Sequence, residues 1–185
     1  MKVKKTVLFR RKREGKTNYK KRLSLLKSKK LRLIIRKTNK QILLQIAEYS
    51  SNGDKVLCGV NSTVLKKLGW KYSCKNLPAC YLAGLLLGKK ALAKKINEAI
   101  LDVGLQTPVK GSKIYAGLKG VIDAGLKVMA SEDIFPSQER LSGKHITAFF
   151  SANKNPVRFA DYRKKKLDPI KLQQEFEVYK KKIMS

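Results

Sequence analysis

Acidic residues are scarce in this sequence. Its 185 residues include 13 Asp and Glu against 43 Lys and Arg, which gives a formal net charge of +30. Charge of this size opposes compaction through self-repulsion and favours a polyanionic partner. Long apolar runs are also missing, because the longest stretch, residues 77–88, contains Pro78 and is too short to cross a bilayer. The charged N-terminus is followed by no apolar segment, so we expect no secretory signal peptide.

Residues that usually carry catalysis are equally few. His145 is the only histidine, and no acid or nucleophile is evidently placed to work with it. Asp102 and Asp123 are not obviously paired, which weakens a metal-dependent nuclease interpretation. The three cysteines have no zinc-type spacing and suit a reducing cytoplasm; they are Cys58, Cys74 and Cys80. We therefore predict no catalytic residue, no metal site and no cofactor.

What the sequence does contain is a basic N-terminal arm, residues 1–30. Residues 1–40 hold 18 Lys and Arg against Glu14, a net charge of +17 and more than half of the excess. RRKR at 10–13 and KKR at 20–22 flank Tyr19, so phosphate contacts and stacking on an unpaired base are both available. A localisation signal needs only one short cluster, whereas this charge continues to residue 40. We predict that the arm contacts RNA, with its first dozen residues extended until a partner orders them.

Strand signals follow the arm. A short helix is predicted over residues 19–26, capped by Thr17 or Asn18. Alternating apolar residues then predict strands over 31–37, 41–48 and 55–60, joined by tight turns into an antiparallel meander. The turn RKTNK at 36–40 lies at a sheet edge, where it would either present Lys and Asn to RNA or be an ordinary solvated turn.

The spacing of apolar residues becomes helical from Asn76, a suitable N-cap. It predicts one helix running towards Ile100, a short strand over 102–106 and a second helix over 113–129. Glycines inside the first helix, followed by Lys89, lack the spacing of a phosphate loop and predict close helix packing instead; they are Gly84 and Gly88.

The remaining residues form the predicted C-terminal extension. Residues 131–160 are predicted to be irregular. Asp168-Pro169 is predicted to open a last helix that docks on the body or on a neighbouring protein. The apolar stripe available for docking is Leu172, Phe176, Tyr179 and Ile183. The predicted fold class is α/β: a three-strand meander followed by helix–strand–helix in a mixed-sheet sandwich. Its parts are the arm at 1–30, the body at 31–130 and the C-terminal extension at 131–185, which ends in a helix.

Five sequence blocks in order carry a family likeness. They are RRKREGKTNYKKRLSLLKS at 10–28, LIIRKTNKQILLQI at 33–46, GWKYSCKNLPACYLAGLLLGKKAL at 69–92, AILDVGLQTPVKGSKIYAGLKGVIDAGL at 99–126 and EDIFPSQERLSGKHI at 132–146. The chain resembles the large-subunit ribosomal proteins of universal family eighteen, which bind 5S rRNA in the central protuberance, in their archaeal and eukaryotic branch. The last block is similar to one that the bacterial branch lacks. Because eukaryotic members have a longer C-terminal extension, we expect an archaeal or a shortened eukaryotic form.

This resemblance implies a mixed α/β sandwich without catalysis, in the large ribosomal subunit in the cytoplasm. It implies 5S rRNA, 23S-type rRNA, a second 5S-binding ribosomal protein and other central-protuberance proteins as partners, with no membrane and no small-molecule substrate. RNA contact is carried over by matching motif positions onto Arg10, Arg11, Arg13, Tyr19, Arg22, Arg36, Asn39 and Lys40, and with weaker support onto Asn61, Lys71 and Lys75.

Two other classes remain as hypotheses at this point. A DNA-compacting chromatin protein would explain the charge but not a basic arm joined to a large α/β body. A nucleic-acid-processing enzyme would need a carboxylate cluster or a nucleophile–base pair, and the sequence offers neither in an evident form.

Overall fold

A mixed four-stranded sheet forms the centre of the computed structural model, which describes residues 6–152 and 159–184. The strands lie in the order β3-β2-β1-β4. The first three run antiparallel to their neighbours, and β4 pairs with β1 in parallel, so the predicted meander and mixed sheet are confirmed. Their bounds are β1 (Arg32–Lys37), β2 (Ile42–Glu48), β3 (Lys55–Asn61) and β4 (Ile100–Asp102).

Helices surround this sheet within the described residues. Two of them pack together beneath it, and a third crosses its other face ahead of β1. They are α1 (Arg10–Arg13), α2 (Tyr19–Lys27), α3 (Val64–Lys67), α4 (Leu77–Ala93), α5 (Lys113–Asp123), α6 (Gln138–Ser142), α7 (Lys144–Ala152), α8 (Ala160–Lys164) and α9 (Leu172–Met184). Single 3-10 turns span Glu132–Ile134 and Pro169–Lys171. None of the helices in the described part of the chain is both long and apolar enough to cross a membrane.

The core lies between the sheet and the helix pair α4–α5. Leu33 and Ile35 of β1 are fully buried on this side. The two helices approach so closely that a Cβ added at Gly84 would clash with the carbonyl oxygen of Gly117, and one added at Gly120 would clash with that of Tyr81. Close helix packing, predicted for the glycines of α4, is therefore confirmed, and side chains on these faces would force the helices apart.

The opposite face of the sheet is covered in part by α2. Asn18 caps this helix, since its Oδ1 accepts the backbone N–H of Lys21 at 3.1 Å. Arg32, which alternates with the apolar residues of β1, is only 1% exposed. Half-buried Leu25 of α2 lines the same cavity as Arg32 and Ile34 of β1. Together with the ion pair between Arg22 of α2 and Asp54, this places the arm against the body in the described structure, which strand periodicity alone did not predict.

Three predicted element boundaries are wrong. Helix α4 ends at Ala93, because Lys95 adopts a positive φ of 59°, and Ile100 belongs to β4. That strand covers residues 100–102 instead of 102–106, since the chain turns at Gly104 with φ at 61°. Helix α5 ends at Asp123 ahead of Gly125 at φ 108°, so the predicted extension to 129 does not form and Met129 is 95% exposed.

Two broader predictions are also corrected. The first dozen residues are not all extended, because Arg10–Arg13 form a helical turn and the Phe9 ring lies 5.2 Å from that of Tyr19. Residues 131–160 are not irregular, because a 3-10 turn, α6 and α7 fall there; residues 153–158 lie outside the described residues. Helix α9 docks on the body, where three of its four stripe residues are buried: Leu172, Phe176 and Ile183.

Candidate RNA interface

The arm is held against the sheet by charged contacts that converge on Asp54, in the β2–β3 hairpin. Arg22 of α2 binds Asp54 through two parallel bonds, Nη1 to Oδ2 at 2.8 Å and Nη2 to Oδ1 at 2.7 Å. Arg32 approaches the same carboxylate as an ion pair, with Nη2 2.6 Å from Oδ2. A two-bond pairing between a guanidinium and a carboxylate fixes orientation as well as charge, so Arg22 positions α2 on the sheet.

A second carboxylate continues this network along β1. Asp102, at the end of β4, lies 3.2 Å from Nη1 of Arg32 and 2.8 Å from Nη2 of Arg36. The Gly104 N–H also donates to Asp102 Oδ1 at 2.8 Å. We call these five residues the arginine–aspartate cluster: Arg22, Arg32, Arg36, Asp54 and Asp102. With three guanidinium groups and two carboxylates, the cluster carries a net charge of only about +1.

The pKa values of this cluster reflect the mutual pairing. Burial pushes the pKa of Asp54 upward, but contacts with Arg22 and Arg32 outweigh burial and hold it below its ordinary value of 3.8. The bond to Asp54 raises the pKa of Arg22. Arg32 is enclosed, and its Nε has no hydrogen-bond partner among the described residues. Removing one member of such a buried group leaves an uncompensated charge, so we assign the cluster a structural contribution.

The arm and the outer sheet face enclose a cavity of about 510 Å³. Its arm side is formed by basic and polar side chains, including Arg11, whose Nε donates to Thr17 Oγ1 at 2.8 Å, and exposed Lys16 and Lys21. Its sheet side contains Arg36, which is 33% exposed. The cavity is therefore accessible to an anion along its arm side, while the cluster forms its floor.

A second cavity, of about 470 Å³, lies beyond the end of β1. We call it the lysine pocket, and its cations are Lys37, Lys75, Lys113 and Arg140. Asn39 of the β1–β2 turn and Ser112, the residue before α5, also line it. No Asp or Glu is among its described lining residues. Uncompensated cations around one concavity focus a positive potential on it.

The two cavities share no described lining residue, but consecutive residues at the end of β1, Arg36 and Lys37, line one cavity each. Basic side chains thus line one concavity beside the arm and another at the starts of α4 and α5. Of the predicted contact residues, Arg11, Arg22 and Arg36 line the first cavity, and Asn39 and Lys75 line the second.

The other predicted contact residues line neither cavity. Arg10 and Arg13 are exposed on α1, and Lys40 is exposed in the β1–β2 turn. Tyr19 is half-buried beside Phe9 and Lys71 is exposed. The side chain of Asn61 accepts the Thr63 N–H at 3.2 Å, a local turn contact.

Sequence reasoning missed several residues that the structure brings into these sites. Lys113 and Arg140 complete the lysine pocket. For Lys113 the sequence did contain a signal, because this residue directly follows the N-cap of a helix with no acid in its first turn, a position that favours anion binding. Asp54 was interpreted only as a turn residue, and its pairing with Arg22 spans 32 positions. No local pattern would have found that pair.

Asp102 and Asp123, which were considered for catalysis, do not come together in one site. Asp123 accepts from the Tyr81 hydroxyl at 2.8 Å and lies 3.1 Å from Lys119 Nζ, so it has different neighbours from Asp102. Burial raises the pKa of the Cys80 thiol to about 12, which disfavours the reactive thiolate. Within residues 6–152 and 159–184, no group of three His, Cys, Asp or Glu side chains is placed to hold a metal ion.

An α/β core with cationic concavities on its surface is typical of a nucleic-acid-binding protein. A family model for the ribosomal large subunit proteins 60S L5 and 50S L18 matches residues 3–98, just over half of the chain. The chain belongs to this family, so the family resemblance stated from the sequence is confirmed. It is a structural protein of the large ribosomal subunit and binds ribosomal RNA there.

Proposed function

We propose that this chain binds 5S rRNA and helps to anchor it in the central protuberance of the large ribosomal subunit, while also contacting 23S-type rRNA. It acts in the cytoplasm beside a second 5S-binding ribosomal protein and other central-protuberance proteins, and it catalyses no reaction. The coarser ribosomal role follows from the family match over residues 3–98. The resemblance of five ordered sequence blocks supports 5S rRNA as the particular ligand.

The observation that supports the proposal best is the presence of two basic cavities to which the end of β1 contributes consecutive residues. Arm cations and lysine-pocket cations are gathered around these two concavities instead of being scattered. A folded RNA presents phosphates over such a broad surface, and each neutralised phosphate releases counterions. Affinity in this arrangement comes from the exposed cations, and the arginine–aspartate cluster holds the arm in position to use them.

Specificity requires more than charge, because phosphate contacts carry no sequence information. Polar and aromatic candidates are available beside the cations. Tyr19 is half-buried against Phe9 and can stack on an unpaired base, and Asn39 is exposed at the turn that enters the lysine pocket. We assign base recognition to these two residues and phosphate contact to Arg10, Arg11, Arg13 and Lys40.

Arg22 and Arg36 have a different part in the proposed interface. Both are partly exposed, at 31% and 33%, and both are paired with carboxylates in the free chain. RNA contact from these side chains therefore uses donor atoms left free by Asp54 and Asp102. Asn61, Lys71 and Lys75 complete the proposed set; among them, Lys75 lines the lysine pocket.

Competition binding of the full chain tests the proposal. Labelled 5S rRNA is challenged with unlabelled 5S rRNA, with tRNA and with duplex DNA, between about 50 and 200 mM salt. If about ten phosphates are contacted, affinity falls by several orders of magnitude across this range, and 5S rRNA remains the best competitor throughout. Equal competition by tRNA would refute specific binding, and stronger competition by duplex DNA would favour a chromatin protein.

A further inference from the structure

The lysine pocket differs from ordinary basic surface in having its cations drawn together from four separate elements. Lys37 ends β1, Lys75 precedes α4, Lys113 begins α5 and Arg140 lies in α6. Gln106 and Ser73 bond only the backbone of Lys37 and Lys75. None of the four cationic side chains makes a hydrogen bond or an ion pair with another described residue. Residues 1–5, 153–158 and 185, which lie outside the described part of the chain, contain no Asp or Glu in the sequence.

Lys113 shows the electrostatic consequence most clearly. Its pKa is lowered by burial and by the neighbouring charges of Lys75 and Lys37. A fold gains nothing by keeping like charges together in a partly desolvated concavity. An anion that enters the pocket would relieve this repulsion.

The first turn of α5, the helix behind the pocket, lacks the usual side-chain acceptor for its backbone N–H groups. Ser112 occupies the N-cap of α5, but its side chain makes no capping bond, and its buried Oγ has no hydrogen-bond partner among the described residues. No acidic side chain stands in the first turn of α5. The positive end of the helix dipole therefore adds to the four cations rather than being neutralised by the protein.

We propose that the lysine pocket is a binding site for backbone phosphate of the RNA ligand, with Lys113 and Arg140 as contact residues in addition to Lys37 and Lys75. This inference rests on the proposed function, because it names the chemistry of one part of the RNA contact. The cavity of about 470 Å³ is wide enough for a phosphate with its attached sugar, which suits a backbone segment. Lysines act here as point charges and Arg140 supplies a planar fork of donors.

A matched pair of double variants tests the proposal. The pocket variant is Lys113→Gln with Arg140→Gln. The control variant is Lys89→Gln with Arg163→Gln, which removes the same charges from exposed positions in α4 and α8 that line neither cavity. The pocket variant should lose at least about tenfold in 5S rRNA affinity, and the slope of log affinity against log salt should fall by about one to two. An equal loss in the control variant would overturn the proposal.

Lysine labelling of the unaltered chain avoids any effect of substitution on folding. An amine-reactive reagent is applied to free protein, to protein with 5S rRNA, and to protein with inorganic phosphate against chloride at equal ionic strength. Mass spectrometry then compares Lys113 with Lys89. RNA should protect Lys113 severalfold and leave Lys89 unchanged.

The measurement with inorganic phosphate distinguishes RNA from a small phosphorylated molecule as the ligand. Protection of Lys113 by RNA supports the proposal, whether or not inorganic phosphate also slows labelling. Protection by inorganic phosphate without protection by RNA would overturn it and assign the pocket to a small phosphorylated molecule. Unchanged labelling with both RNA and inorganic phosphate would overturn the proposal outright. Failure of the proposed function is separate, because it shows as a lack of preference for 5S rRNA in the parent chain.

Discussion

The arginine–aspartate cluster and the lysine pocket both include residues of β1, yet the cations of the cluster are paired with carboxylates and those of the pocket are not. Three arginines of the cluster face Asp54 and Asp102, and Arg32 is almost fully buried. Four cations of the pocket face no described carboxylate. Positive charge therefore has two uses in this chain: paired guanidinium groups fasten the arm to the sheet, and unpaired cations remain available for a polyanion.

This difference teaches that net charge alone does not identify the RNA-binding residues. A cation that is satisfied within the protein must exchange or share its partner before it can bind phosphate, and desolvation makes that exchange unfavourable. A cation without a partner gains from phosphate directly. The comparison predicts that changes in the cluster mainly lower folding stability, whereas changes in the pocket mainly lower RNA affinity.

Deletion of residues 1–30 should have the largest effect. The loss of 14 Lys and Arg should lower 5S rRNA affinity by about a thousandfold or more at moderate salt. The body, residues 31–130, should remain folded because α4 and α5 still cover the apolar face of the sheet. Stability should nevertheless fall, since Arg22 no longer pairs with Asp54. Filter binding and urea denaturation monitored by circular dichroism measure both effects; an unfolded truncated chain would contradict the division into arm and body.

Substitution of Asp102 by Ala should give the next largest effect. Asp102 joins Arg32, Arg36 and the Gly104 N–H, so its removal leaves a buried guanidinium poorly compensated. We expect a loss of about 3–5 kcal/mol in the free energy of unfolding. The exposed Asp133→Ala variant serves as the control and should change stability by less than about 0.5 kcal/mol. Equal free energies of unfolding for the two variants in urea titrations would contradict a structural role for the cluster.

Asp54→Asn should show how much of the acid sensitivity comes from the cluster. Because the folded-state pKa of Asp54 is lowered, its contribution is present above the unfolded-state pKa and is lost as pH falls through the folded-state value. At pH 7 the variant should lose about 2 kcal/mol, less than Asp102→Ala because the site is partly exposed. Urea midpoints from pH 7 to pH 3 should fall less steeply for the variant than for the parent. Parallel curves would show that Asp54 contributes little to the pH dependence.

Lys113→Gln should have the smallest effect on stability and the opposite sign. The pKa of Lys113 is lowered by burial and neighbouring lysines, so its charged form is less favourable in the folded chain than in the unfolded chain. Its replacement should raise stability slightly, by up to about 0.5 kcal/mol, while RNA affinity falls. Thermal unfolding compared with Lys89→Gln measures the first effect. A marked loss of stability would place Lys113 among the structural cations instead.

The elements set by local pattern could be predicted from the sequence. Strands of the meander and the start of α4 at Asn76 follow from residues near one another in the chain, and the Asn76 side chain does cap α4 by accepting the Ala79 N–H at 2.9 Å. Helix ends were predicted less well, because Lys95 and Gly125 take positive φ angles where apolar spacing suggested continued helix.

The sites formed by distant residues could not be predicted in the same way. Strand alternation placed Arg32 on a polar face, and its burial beside Asp54 and Asp102 emerges only in the tertiary structure. The lysine pocket combines positions 37, 75, 113 and 140, which meet only after the sheet and helices assemble. Charge counting identified the arm, but the tertiary structure was needed to separate paired cations from free ones.

Crosslinking of the purified full chain to total RNA, followed by sequencing of the attached RNA and mapping of the crosslinked peptides, tests the central claim most directly. The account predicts strong enrichment of 5S rRNA over tRNA and over its abundance in the input. Crosslinked peptides should come from the arm and from the segments that carry Lys37, Lys75 and Lys113. Crosslinks to RNAs in proportion to their abundance, or crosslinks confined to α8 and α9, would contradict the account.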